Sequence, residues 1–164
     1  MSVRKRGFYK SFRHNALRWS SLSGRERGIF LKAFILLLLV TTSLKTIGFR
    51  RTQAWLALKT SRAFVPPVQQ TRAEVRRTTH LVRSARKWHI LRSTCLSHSL
   101  VLRRLLRQQG VDSDIRIGVR RGTSGKVEAH AWIEWNGEVL NDCADIAAQY
   151  VPLTAAISSG LNFD

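Results

Sequence analysis

The chain has 164 residues, 44% of them hydrophobic, and carries 28 Lys+Arg against 10 Asp+Glu for a formal net charge of +18. This length has room for one domain of ordinary size plus an extension, and two cysteines, Cys95 and Cys143, exclude a disulfide framework and suit a reducing, cytoplasmic setting. The charge is uneven: residues 1–94 hold 21 of the basic residues and only two acids, Glu26 and Glu74, whereas residues 95–164 hold seven basic and eight acidic residues. The first part should attract an acidic peptide, an anionic membrane surface or nucleic acid, and the second should form an ordinary folded core.

Residues 1–20 are basic with scattered aromatics and read as a disordered tail. Ser23, with Glu26 three residues on, has the pattern of a capping box and starts a strongly apolar helix to about Leu44. Its uncharged run, Ala33 to Leu44, is shorter than the roughly 20 residues a membrane span wants. It follows a long charged stretch with no Ala-x-Ala site after it, which argues against a secretory signal. A helix apolar on every side must be covered, so docking on the domain or on a partner is expected, with Ala33–Val40, including Leu37, as the docking segment. A second helix is expected at about 50–62, before the Pro66-Pro67 break, and a third at about 69–91. In the third, Val75, Thr79, Val82, Ala85 or Arg86, and Ile90 share one face, and the remaining Arg and Lys are read as solvated.

Residues 95–109 make the best helix, with an apolar stripe of Leu96, Leu102, Leu105 and Leu106, a cap at Ser93 or Thr94, and Gly110 at its end. Three strand signals follow. The first is Ile115–Val119, and the second is Val127–Trp135. In the second, Ala129, Ala131, Ile133 and Trp135 oppose Glu128, His130, Trp132 and Glu134. The third is around Val139–Cys143, after an Asn136-Gly137 hairpin turn. The predicted class is α+β: one central helix and a small antiparallel sheet behind an N-terminal helical region.

Cys95 stands at the start of the central helix, where unpaired N–H groups and the positive dipole end favour a thiolate and can hold an oxyanion. His130 is mid-strand, and Asp142 lies on the strand predicted to pair with it. A thiol needs a base and the base needs an orienting group, so the order Cys95–His130–Asp142 fits nucleophilic catalysis. Asp145 is a fallback for the third place, and Trp132 could wall a substrate groove or pack in the core. Glu128 and Glu134 share the His130 face and could meet a positive group of a substrate, with solvated charge as the plain reading; Asp112 and Asp114 read as loop acids. A metal reading competes: Cys95, His98, His130 and Cys143 form a Cys₂His₂ set suited to zinc. Against it, Asp142 and Cys143 are neighbours on a strand and should point apart, and His98 reads as surface or site rim. Nucleic-acid binding competes on charge alone, without a recognised motif to give specificity.

The run Cys95-Leu96-x-x-Ser99-Leu100, then Ile117-Gly118-Val119, His130-Ala131-Trp132-Ile133-Glu134, Gly137 and Asn141-Asp142, resembles the transglutaminase-like leader peptidases of lasso peptide biosynthesis over about residues 23–153. The resemblance implies a transglutaminase-like (papain-like) catalytic domain at 92–164 behind a helical region at 21–91. It also implies a cytoplasmic cysteine protease that removes the leader of a ribosomal precursor peptide, with Cys95, His130 and Asp142 matching the family's triad and no metal or cofactor. The implied partners are the precursor peptide, a leader-binding adaptor protein and an ATP-dependent macrolactam cyclase, with no specific nucleic acid and with membrane-surface contact open to the N-terminal half. Residues 1–94 have no strand-rich segment for a fused leader-binding domain, so the separate-chain form is expected. Ser97-His98 departs from the family, which often has Pro-Arg there. The alternatives are a transglutaminase-like amide-acting enzyme on another peptide, or a basic nucleic-acid- or membrane-binding protein.

Overall fold

The computed structural model describes residues 22–58, 72–88, 93–122 and 126–153. The tail at 1–20, the ends of the second and third predicted helices and Ile90 lie outside these. Four helices come first: α1 Gly24–Thr46, α2 Gly48–Leu58, α3 Arg72–Trp88 and α4 Cys95–Gln108. Strands β1 Asp114–Arg121, β2 Val127–Trp135 and β3 Glu138–Val139 follow, then the short α5 Ile146–Gln149 and β4 Val151–Pro152. The sheet is antiparallel in the order β3-β2-β1-β4.

Local chemistry explains the ends of these elements. Ser23 and Glu26 form a full capping box, each side chain bonded to the other's backbone N–H. Gly48 and Gly110, at φ of 76° and 79°, turn the chain after α1 and α4, where a side chain would be strained. Asn136 and Gly137 both have positive φ, as the β2–β3 hairpin requires.

One hydrophobic core runs through the helical region and the sheet region together. Ala33, Leu37 and Val40 of α1 and Val75, Val82 and Ala85 of α3 meet Leu102, Leu105 and Leu106 of α4, with Ile115 and Ile133 from the sheet. α4 is thus central, covered by α1 and α3 on one side and by β1 and β2 on the other. The expectation that α1 must be covered holds for half of it. Ala33, Leu37, Val40 and Thr41 form the buried face, while Leu31, Ile35, Leu38 and Leu39 remain exposed. Leu37 is therefore a core residue and not part of a docking surface. Spacing along an all-apolar helix cannot tell which face turns inward.

The arginines of α3 are not simply solvated. Arg72 and Arg76 hold Glu138 of β3, and Arg77 holds Glu26 of α1. On the sheet, Glu134 pairs with Arg116 and Glu128 with Arg120, so neither acid is a lone charge. The third predicted strand is shorter than the expected Val139–Cys143: β3 ends at Val139, and Asn141 and Asp142 lie in a bend. β4 was not expected, because a two-residue strand has no periodicity to read.

Candidate functional site

Cys95 is the first residue of α4. Thr94 is the N-cap, its Oγ1 accepting from the Ser97 N–H at 3.2 Å. Cys95 is half-buried. Its backbone N–H and those just after it begin the helix, where donors have no carbonyl a turn earlier.

His130 and Asp142 meet directly: His130 Nε2 and Asp142 Oδ2 are 2.7 Å apart, and both side chains are about three-quarters covered. The other carboxylate oxygen, Oδ1, accepts from the Cys143 N–H at 2.9 Å. Burial alone would raise the Asp142 carboxyl, but the His130 hydrogen bond and the Cys143 amide outweigh it and hold it below the usual carboxylate range. With Nε2 engaged, Nδ1 is the ring nitrogen left to take a proton. Asp145 instead accepts from Gln149 at 2.9 Å and faces the Cys143 thiol, whose hydrogen bond to that carboxylate keeps the thiol above its ordinary value.

The ring of His130 rests on an aromatic bed, with Trp132 and Tyr150 centroids at 6.4 and 5.3 Å. Trp132 is 1% exposed and its indole N–H donates to Glu134 at 2.8 Å. Trp132 is thus packing beneath the histidine and does not wall a groove. Trp132, Ile146 and Tyr150 form a second small core on the His130 side of the sheet. Gly118 faces His130 across the β1–β2 ladder, and a Cβ there would stand 2.7 Å from Tyr150 Cβ and 3.0 Å from the Trp132 ring. The glycine is therefore a close-approach position that lets the aromatic bed form. Tyr150 had no sequence signal beyond being aromatic.

Buried polar contacts fasten these parts to one another. Because β3 stops at Val139, the edge of β2 that it would cover is left open. The Ile133 carbonyl there still accepts from Leu140 at 2.9 Å. The Ile133 N–H donates to Asn141 Oδ1 at 2.7 Å, and the Ala131 carbonyl accepts from Ser99 Oγ at 3.0 Å. Asn141 Nδ2 in turn donates to Ser99 Oγ at 2.9 Å. Ser99, Ala131 and Asn141 are buried. Ser99 lies one helical turn after Cys95, and Ala131 and Asn141 adjoin His130 and Asp142. The clasp thus sets the start of α4 against the strand edge beside His130. The structure joins His130 to Asp142; among the described residues it shows no hydrogen bond between Cys95 and His130.

Sequence reasoning quoted Ser99 and Asn141 without assigning them a role. Replacing Asn141 with Ala leaves the Ile133 N–H buried and unpaired, at about 1–3 kcal/mol. Thermal melts of Asn141→Ala should show that loss. Turnover measured where the variant is still folded should fall roughly 10-fold, because the loss loosens α4 against β2. A variant as stable and as active as the parent would rule the clasp out.

His98 is not at the surface or the rim of the site. It is 1% exposed and its Nε2 has no hydrogen-bond partner. Residues 97–102 are buried all round because α1, α3 and β2 pack on α4, and Asn141 bonds to Ser99 there. Burial, then the charges of Arg86 and Arg83 against an opposing pull from Asp142, lowers His98 from 6.5 to about 4. The unfolded chain takes up this proton near pH 6.5 and the folded one only near 4. The associated stability is full above 6.5 and is lost as pH falls toward 4, by on the order of 3 kcal/mol. Urea melts across that window should show the loss in the parent and a flatter profile in His98→Met; equal slopes would contradict it. Cys143 is exposed, and among the described residues no three His, Cys, Asp or Glu side chains converge as metal ligands.

A central helix that begins at a cysteine, laid against a sheet whose histidine pairs with an Asp in the bend after β3, is the layout of transglutaminase-like and papain-like enzymes, and the family comparison agrees. The sequence profile of the Transglutaminase-like superfamily matches residues 36–155, and the chain belongs to that superfamily. The microcin J25-processing protein McjB of Escherichia coli is 34% identical over 58 residues, which cover 35% of this chain and 26% of that relative. The chain therefore matches only about a quarter of the relative's length. No solved structure matches.

Proposed function

We propose that this protein is a cysteine peptidase that removes the leader from a ribosomally made lasso precursor peptide. Cys95 is the nucleophile, His130 the base and Asp142 its orienter. The observation that carries the reading is the His130–Asp142 pair at 2.7 Å, held through the Ser99–Asn141 clasp to the helix that starts at Cys95. The likeness to a microcin-processing protein supports the choice of substrate.

In this mechanism His130 Nδ1 takes the Cys95 proton, and the sulfur attacks the carbonyl carbon of the scissile amide. The oxyanion is met by N–H groups at the start of α4. His130 then returns the proton to the leaving amine, the C–N bond breaks and a thioester remains. Water, deprotonated by His130, attacks the thioester; the leader leaves as a carboxylate and the thiol is restored. Asp142 keeps the ring oriented and balances the imidazolium charge. In the absence of substrate, such catalytic hydrogen bonds are often long, and they tighten in the complex.

Specific cleavage needs binding energy from parts of the leader remote from the cut, and a leader-binding adaptor supplies it by raising the local substrate concentration. A macrolactam cyclase using ATP then consumes the freed core peptide. The test is cleavage of a precursor encoded beside this chain, followed by mass spectrometry with and without the adaptor. The expected result is a single cut between leader and core, with kcat/KM about 10²-fold higher when the adaptor is present. An intact precursor under both conditions, with the protein folded, would refute the reading.

A further inference from the structure

The outward face of α1 has no role in the chemistry at Cys95. Leu31, Ile35, Leu38 and Leu39 are each between 44 and 54% exposed. Their spacing of 4, 3 and 1 residues puts them in one stripe along the helix. The stripe lies directly opposite Ala33, Leu37 and Val40, which are fully buried in the core. α1 is long and apolar enough to cross a bilayer by length and composition, but crossing would strip that inner face from α3 and α4. The helix can meet a membrane only along its side.

The charges of α1 and α2 near the stripe are mostly cationic, with one acid of α3, Glu74, paired to Arg25 at 3.8 Å. Arg25 and Lys32 border it on one flank and Arg27 and Lys45 on the other, and exposed Arg50 and Arg51 follow in the sequence on α2. The acid of α1, Glu26, is turned away and bonded to Arg77 and the Ser23 N–H. Long cationic side chains beside an apolar strip can keep their heads at phosphate level while their stems lie along the hydrocarbon boundary. Four side chains are too few for a stable protein interface, which takes about 800 Å² and 20–30 residues from each partner. They suffice for reversible interfacial binding when added to attraction between cations and anionic lipid.

We propose that the α1 stripe is an interfacial docking face for an anionic lipid bilayer, with α1 lying in the plane of the surface. This reading is independent of the reaction at Cys95.

The test uses the full chain and co-sedimentation with vesicles of phosphatidylcholine alone or mixed equally with phosphatidylglycerol. Binding is expected to the mixed vesicles, to weaken with salt as the charges are screened, and to be weak on phosphatidylcholine alone. Ile35→Asp combined with Leu38→Asp should reduce binding on the order of 10-fold or more while leaving the thermal melt unchanged, since both side chains are exposed. Lys32→Glu combined with Lys45→Glu should reduce it without touching the stripe. No binding to mixed vesicles overturns the proposal. Binding unchanged by the Ile35/Leu38 pair overturns it too, since charge alone would then account for it. So does a dimer in solution that the same pair dissolves, which would make the face a contact between copies. A failed precursor assay would leave this result unaffected, and the reverse also holds.

Discussion

Cys95→Ala is expected to lower kcat/KM for precursor cleavage by about 10⁴-fold or more, with the melting temperature little changed. The reaction proposed here forms and breaks a bond to sulfur, and no other group in the site can replace it. The fold does not need the sulfur: Cys95 is half-buried at a helix start whose cap comes from Thr94. Cys143→Ala is the matching control and should retain most activity. That thiol is exposed and is held protonated by the Asp145 carboxylate it bonds, which is the opposite of what a nucleophile needs. The measurement is a cleavage time course on purified variants. Normal cutting by Cys95→Ala would sink the assignment of the nucleophile.

His130→Ala is expected to cost nearly as much as the loss of Cys95, because residues that act as a unit are non-additive. The double variant should be little worse than either single one. Asp142→Asn should fall less, by about 10²-fold, since an amide oxygen can still orient the imidazole and Cys-His-Asn sites work. Asp145→Asn should be mild, because that carboxylate faces Cys143 and Gln149. The same cleavage assay orders these variants. If Asp145→Asn were severe and Asp142→Asn silent, the orienting group would be the wrong one, and the 2.7 Å contact to His130 would have no catalytic meaning.

Some features are local, and neighbouring residues settle them. Ser23 with Glu26, Thr94 before Cys95, Gly110, and Asn136-Gly137 each act through the backbone within a few residues. The start of α1, the extent of α4 (its cap read as Ser93 or Thr94) and the turn of the hairpin were therefore legible in advance. The alternation of Val127–Trp135 likewise marked β2. The resemblance that placed the chain among transglutaminase-like proteins rested on short motifs around the same elements. What those motifs could not reveal was how far β3 runs. An Asn-Gly turn predicts a hairpin but not where its second strand gives way, and here it gives way at Val139.

By itself, the sequence determined the α+β class, the helix that begins at Cys95, the strand that carries His130 and the concentration of positive charge before residue 95. These follow from periodicity, capping and composition, which act over a few residues. Only the tertiary structure decided which side of α1 is core and which stays open, since an apolar helix has no inner face until α3 and α4 pack on it. Packing likewise buried His98, set Trp132 and Tyr150 under His130, and gave the free edge of β2 to Ser99 and Asn141. Most of those outcomes depend on contacts between residues tens of positions apart, such as Ser99 with Ala131 and Asn141. Burial and buried hydrogen bonding select the partners, and no local pattern encodes them.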